Sequence, residues 1–254
     1  MIGIVGGVGP YAGIDLLKKV FDNTVANSDQ EHLDAVLLSV SSKIDDRTEY
    51  LTGKINRNPG IAIAEVLLKL KNVGATVAGI PCNTAHADEI FTTIKNELSK
   101  QSNTIKVLNM IEETASCIAL NYPHVSKVGV LSTTGTYNSK IYPTALHKMG
   151  FEVLVPPMEM QEDLIHPAIY HSTYGIKTIS NPIHSQAKAN LLEGFQYLKE
   201  QGAEAVVLGC TEIPLAFNEE RLNDMILIDP TTILARALIQ NSKPEKLKTY
   251  RNQF

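Results

Sequence analysis

Cys82 and Cys210 are the residues whose type and placement point most directly to chemistry. Cys82 closes the apolar run of ATVAGIPCNTAH, and Cys210 closes that of AEAVVLGCTEIP. Each is followed at once by polar residues, Asn83 and Thr84 in one case and Thr211 and Glu212 in the other. A free cysteine is most often a small buried hydrophobe. Cys117, within the helical pattern EETASCIAL, fits that description. Two thiols at matched positions suggest something else. One, as thiolate, can remove a proton from a carbon centre while the other, as thiol, returns a proton to the opposite face. The product is the mirror image of the reactant. A thiol of ordinary pKa, about 8.5, is only slightly ionised near neutrality, so a helix N-terminus or a cation must assist it. PCNTAHADEIF reads as a strand running into a helix whose N–H groups could stabilise a Cys82 thiolate. His86 and Glu212 lie close enough in sequence to tune the two thiols.

The match between the cysteines is part of a weak internal repeat. IGIVGGVGPY parallels VGVLSTTGTY, ATVAGIPCNT parallels AEAVVLGCTE, and IKVLNMIEETA parallels MILIDPTTILA. Gly9 precedes Cys82 by 73 residues, and Gly135 precedes Cys210 by 75. Three shared motifs in one order predict two similar halves related by a pseudo-twofold. Apolar runs predict strands at 2–5, 35–40, 76–80, 105–108, 127–131, 151–155, 204–208 and 226–229. They are continuous rather than alternating, as in strands buried on both faces. Between them, Ile14, Leu17, Phe21 and Val25 share a helical face, as do Ile63, Val66, Leu67 and Leu70, and Leu191, Phe195 and Leu198. The rhythm predicts an α/β protein with two similar parallel-sheet domains and a site in the cleft between them, since ligands bind beyond the carboxyl ends of such strands.

Composition narrows the partners. The chain has 254 residues, 44 % apolar and 20 % charged, with a net charge of −4. No basic tail or helix invites nucleic acid, and no apolar run approaches a membrane span. Three cysteines, with no C-x-x-C and no secretory signal, point to free thiols in a reducing, cytoplasmic setting without a zinc site. Gly7, Gly9 and Ala12 fit G-x-G-x-x-A. However, the second strand, DAVLLSVSS, ends in serines rather than the acidic residue a dinucleotide's ribose requires. Gly6, Gly7 and Gly9 are better read as letting the backbone approach a small carboxylate, with Pro10 at a helix start.

In order along the chain, GIVGGVGPYAG, IDDRTEY, PCNTAH, VLSTTGT, TYGIK and LGCTEIPL resemble the cofactor-independent aspartate/glutamate racemase family. The resemblance spans nearly the whole chain. It implies Cys82 and Cys210 as paired acid and base, no pyridoxal phosphate or other cofactor, no metal, and a homodimer. It also implies Arg47 and Lys177 at the substrate's distal carboxylate, and Asn83, Thr84 and Thr133 near the α-carboxylate. Aspartate is the implied substrate. Glutamate or another dicarboxylic amino acid is the near alternative, and a non-catalytic binder of acidic amino acids is the alternative of another class. The domains implied are 1–102 plus 217–254, and 103–216, with the last strand and helix returning to the first domain. Two departures stand out. GGVGPYAG replaces the family's GGMGP followed by a small residue and Thr, so Val8 and Tyr11 are expected to alter the pocket's width. IDDRT replaces a proline-aspartate-arginine form.

Overall fold

The computed structural model describes residues 1–101 and 105–249. The first half runs β1 (Ile2–Gly6), α1 (Pro10–Asp22), β2 (Ala35–Ser39), α2 (Arg47–Leu51), α3 (Pro59–Asn72), β3 (Val77–Gly79), α4 (Asp88–Ser99), β4 (Lys106–Val107) and α5 (Met110–Asn121). The second runs β5 (Lys127–Ser132), α6 (Thr134–Ser139), α7 (Ile141–Lys148), β6 (Glu152–Leu154), α8 (His166–Tyr170), α9 (Ser185–Glu200), β7 (Ala205–Gly209), α10 (Ile213–Ala216), β8 (Arg221–Leu222), β9 (Met225–Ile228) and α11 (Pro230–Ser242).

The strands form two sheets, ordered β2-β1-β3-β4 and β6-β5-β7-β9-β8. Leaving β8 aside, the two orders are the same: second, first, third, fourth. The repeat read in the sequence is therefore a repeat of topology. Among the strands of these sheets every pairing is parallel except that of β8 with β9. All eight strands read from the sequence are present. The ninth, β8, is a two-residue edge strand joined to β9 through Asn223 and Asp224, both at positive φ. Such a pair makes the tight turn whose twist suits a hairpin.

Helices cover both faces of each sheet, so the central strands are apolar throughout. On the first sheet, Ile63, Val66, Leu67 and Leu70 of α3 pack with Ile90 and Ile94 of α4. On its other face, Leu16 and Val20 of α1 pack with Leu234 and Leu238 of α11. Leu191, Phe195 and Leu198 of α9 cover one face of the second sheet, and Ile111 and Ile118 of α5 with Tyr142 and Leu146 of α7 cover the other.

This packing corrects two expectations. The α1 face turned to the sheet is Ala12, Leu16 and Val20, with Ile14 at 56 % exposure and Val25 beyond the helix end. Leu17 and Phe21 pack only at its flank. The domain boundaries at 102 and 217 also shift. β4 pairs with β3 in the first sheet, and β9 pairs with β7 in the second. What crosses is the helix after each fourth strand: α5 leaves the first sheet to cover the second, and α11 leaves the second to cover the first. Parallel pairing holds each strand in its own sheet, and an apolar helix face is free to serve either.

Candidate active site

The first-half residues of the site come from the loops after β2 and β3. Cys82 opens the 3-10 turn Asn83–His86, six residues before α4 begins. The expected placement at the N-terminus of a long helix is thus replaced by a short turn, because Pro81 and the polar PCNTAH stretch delay the helix until Asp88. Arg47 is the first residue of α2, which Asp46 caps by accepting the Glu49 N–H at 2.9 Å. The Arg47 guanidinium is buried and anchored to backbone, with Nη2 donating to Val8 O at 2.8 Å and Nη1 to Asp45 O at 3.2 Å. Burial opposes its charge. Cys82, Asp46 and Tyr170 around it more than offset that, and its pKa lies above the usual arginine value. Arg47 is therefore the cation beside Cys82, not a surface partner of Asp45, whose carboxylate sits near Arg57 instead. Tyr170, at the end of α8, donates to Asp46 Oδ2 at 3.1 Å.

Cys210 follows β7 and has a different neighbour. Its thiol donates to Glu212 Oε2 at 3.0 Å, and the Thr211 hydroxyl donates to the same oxygen at 3.2 Å. The other carboxylate oxygen accepts from Lys177 Nζ at 2.6 Å. Burial, then the Glu212 charge, push the Cys210 thiol well above its ordinary pKa. Burial works against the Glu212 carboxylate too, but Lys177 and the hydrogen bonds it accepts hold its pKa below the usual value. Lys177 is kept charged in the same way: Glu212, Cys210 and the Tyr170 ring, 5.4 Å away, outweigh its burial. Lys177 lies on a turn, and its ammonium points inward.

Hydroxyls join the halves. Thr84 Oγ1 lies 2.8 Å from Thr136 Oγ1 and 3.2 Å from Thr133 Oγ1, and Thr133 also caps α6. Asn83 is buried; its Oδ1 accepts from Tyr142 OH at 2.5 Å, and its Nδ2 has no partner among the described residues.

All seven residues expected at a site (Cys82, Cys210, Arg47, Asn83, Thr84, Thr133 and Lys177) line one small, tightly closed cleft between the sheets. Tyr170, Gly209, Thr211 and Glu212 complete its wall. Tyr170 carried no sequence signal. Glu212 signalled only by adjoining Cys210.

The glycine loop stands behind the cleft rather than in it. Gly9, at φ +139°, has no room for a Cβ, which would sit 2.8 Å from Glu212 Oε1. The Glu212 carboxylate thus lies directly against the Gly9 backbone. Nor do Val8 and Tyr11 set the pocket's width: Val8 is buried in the first core and offers only its carbonyl, and Tyr11 is exposed. His86 is a buried support, its Nε2–H donating to Ile80 O at 3.2 Å; burial pushes its pKa down to about 4. Among the described residues no trio of His, Cys, Asp or Glu is grouped to hold a metal, and no helix is long and apolar enough to cross a membrane.

Two thiols thus line one cleft of a duplicated α/β fold, one beside a guanidinium and one hydrogen-bonded to a carboxylate. Residues 5–238 match the model of the Asp/Glu/Hydantoin racemase family. The chain belongs to that family, and is an isomerase of the racemase type. Among solved structures it is similar to Picrophilus torridus aspartate racemase, with a TM-score of 0.78 and 27 % identity over 98 % of this chain and 95 % of that one. It is 26 % identical to the broad specificity amino-acid racemase RacX of Bacillus subtilis over 94 % of this chain and 96 % of the relative. It shares its fold with the Francisella tularensis glutamate racemase solved with D-glutamate, at a TM-score of 0.65 and 21 % identity, covering 98 % of this chain and 83 % of that one.

Proposed function

We propose that this racemase interconverts L- and D-aspartate by a two-base mechanism in which Cys82 and Cys210 act on opposite faces of the α-carbon. The observation that carries this reading is the contrast between the two thiols. Cys82 adjoins the Arg47 guanidinium, so a cation stands beside this thiol. Cys210 donates its proton to Glu212 in a buried setting, an arrangement that keeps it a thiol. In one direction the Cys82 thiolate takes the α-proton and the Cys210 thiol delivers its own to the other face. The reverse direction exchanges the roles, and no proton is gained or lost overall.

The α-proton is weakly acidic, so the developing enediolate charge must be met by placed donors. Asn83, Thr84 and Thr133 supply them at the α-carboxylate. Arg47 and Lys177 face the distal carboxylate with a planar fork and a three-donor ammonium. Lys177 keeps donors beyond the one given to Glu212, so it can bridge Glu212 and the substrate. That same pairing favours a second reading, a wider range of amino acids, because part of the lysine's charge is already answered within the protein.

Incubation with L-Asp, L-Glu and a neutral amino acid in D₂O, following α-hydrogen loss by NMR and the D-isomer by chiral chromatography, separates these readings. Fastest deuterium entry and D-isomer formation with aspartate support the proposal. Comparable rates for all three would replace it with the broad reading. Catalysis by free thiols suits a reducing compartment such as the cytoplasm, and the homodimer implied by the resemblance is tested by light scattering.

A further inference from the structure

We propose that Tyr142 is a positioning residue: its hydroxyl fixes the Asn83 side-chain amide so that the NH₂ group is presented to the cleft as a donor to the substrate's carboxylate. The inference rests on the reading of the cleft given above and adds a residue outside its wall. Tyr142 lies on α7 in the second half, and Asn83 lies in the first, so the bond between them crosses from one half to the other.

Tyr142 is fully buried, and a buried phenol needs a partner for its proton. Two oxygens are at hand. Thr114 Oγ1 gives its own proton to Met110 O at 2.7 Å and interacts with the tyrosine hydroxyl. Asn83 Oδ1, a pure acceptor at 2.5 Å, takes the tyrosine proton. Burial raises the Tyr142 pKa well above 10, so the hydroxyl remains a donor throughout the working pH range.

With its oxygen held on Tyr142, the amide has one orientation, and Nδ2 points away from that bond. Nδ2 is buried and meets no acceptor among the described residues, although Asn83 lines the cleft. A buried donor left unmet is costly. A substrate carboxylate oxygen would satisfy it, and the amide is oriented before the substrate arrives. Without the tyrosine hydroxyl the amide could turn over and present its oxygen, which repels a carboxylate.

A double-mutant cycle with Tyr142→Phe and Asn83→Ala tests this, read in kcat/KM for racemisation and in the Kd of succinate, a dicarboxylate that cannot racemise. Each single variant should weaken both quantities roughly 10- to 100-fold, the range for a hydrogen bond to a charged group. The double variant should be no worse than Asn83→Ala alone, because the tyrosine acts only through the asparagine. The pH profile should keep its shape. A near-wild-type Tyr142→Phe, or losses that multiply in the double variant, would overturn the proposal and leave Tyr142 a packing residue. If the wild type racemises no amino acid, the proposed function fails. The cycle in succinate Kd then still decides the inference, and absence of succinate binding rejects it as well.

Discussion

At the residue scale, the two thiols are alike in sequence context and unlike in surroundings. Each follows an apolar strand in one half of a duplicated fold, yet Cys82 adjoins the Arg47 cation, whereas Cys210 hydrogen-bonds an anion that is itself paired with Lys177. The source of the anion is Glu212, whose two oxygens are shared among Cys210, Thr211 and Lys177. Replacing it with Gln removes the charge while keeping an acceptor. The Cys210 thiol, raised first by burial and then by Glu212, should then ionise more easily, since Lys177 remains nearby. In the reaction direction that needs Cys210 as acid, the basic limb of the pH–rate profile should move to lower pH in Glu212→Gln. In the direction that needs it as base, the acidic limb should move to lower pH. Profiles unchanged in both directions would show that Glu212 does not govern the thiol.

At the element scale, the site depends on the short connections after β2, β3, β5 and β7 and on the turn beyond α8 that carries Lys177. The turn Asn83–His86 places three cleft-facing or supporting groups within one loop, and His86 locks its far end to Ile80. The imidazole is buried and neutral, with its pKa depressed by burial from 6.5 to about 4. The unfolded chain therefore takes up a proton first as pH falls. Stability from this group is complete above pH 6.5 and drains away toward pH 4, by up to about 3 kcal/mol. Denaturant midpoints measured from pH 7.5 to 4.5 should fall less in His86→Gln than in the wild type. Parallel curves would remove His86 from the account.

Strands and cysteines were legible at this scale because burial on both faces demands continuous apolar runs and because the repeat doubled every signal. The remaining features depend on tertiary packing. The phase of α1 is not legible in the sequence, because Ile14, Leu17 and Phe21 satisfy a helical period that the sheet does not use. β8 is only two residues long, and Tyr170 and Tyr142 reach the site region from distant parts of the chain. A fully buried tyrosine at helical spacing looks like core until its hydroxyl partner is known.

At the scale of the whole molecule, the exchange of α5 and α11 ties the halves into one unit. Each sheet is completed by a helix whose preceding strand belongs to the other sheet, so one face of each sheet has a core built from both halves, while the other face keeps a core of its own half. Leu238 of α11 is fully buried, and its Cδ1 lies 2.9 Å from where a Cβ on Gly79 would stand. Leu238→Ala should cost about 2–5 kcal/mol, the usual range for a large-to-small core change. Because the helix crosses, calorimetry should show a single transition shifted downward rather than one half melting alone. A separate low-temperature transition would mean that the halves are energetically independent.

The central claim is that two thiols share one racemisation, and the measurement that tests it most directly is racemisation by Cys82→Ser and Cys210→Ser, each followed by chiral chromatography from both enantiomers of aspartate under reducing conditions. The account predicts that each substitution nearly abolishes interconversion in both directions while the folded protein is retained, because a serine hydroxyl, with a far higher pKa, replaces neither the base nor the acid. Near-wild-type interconversion by either variant would contradict it.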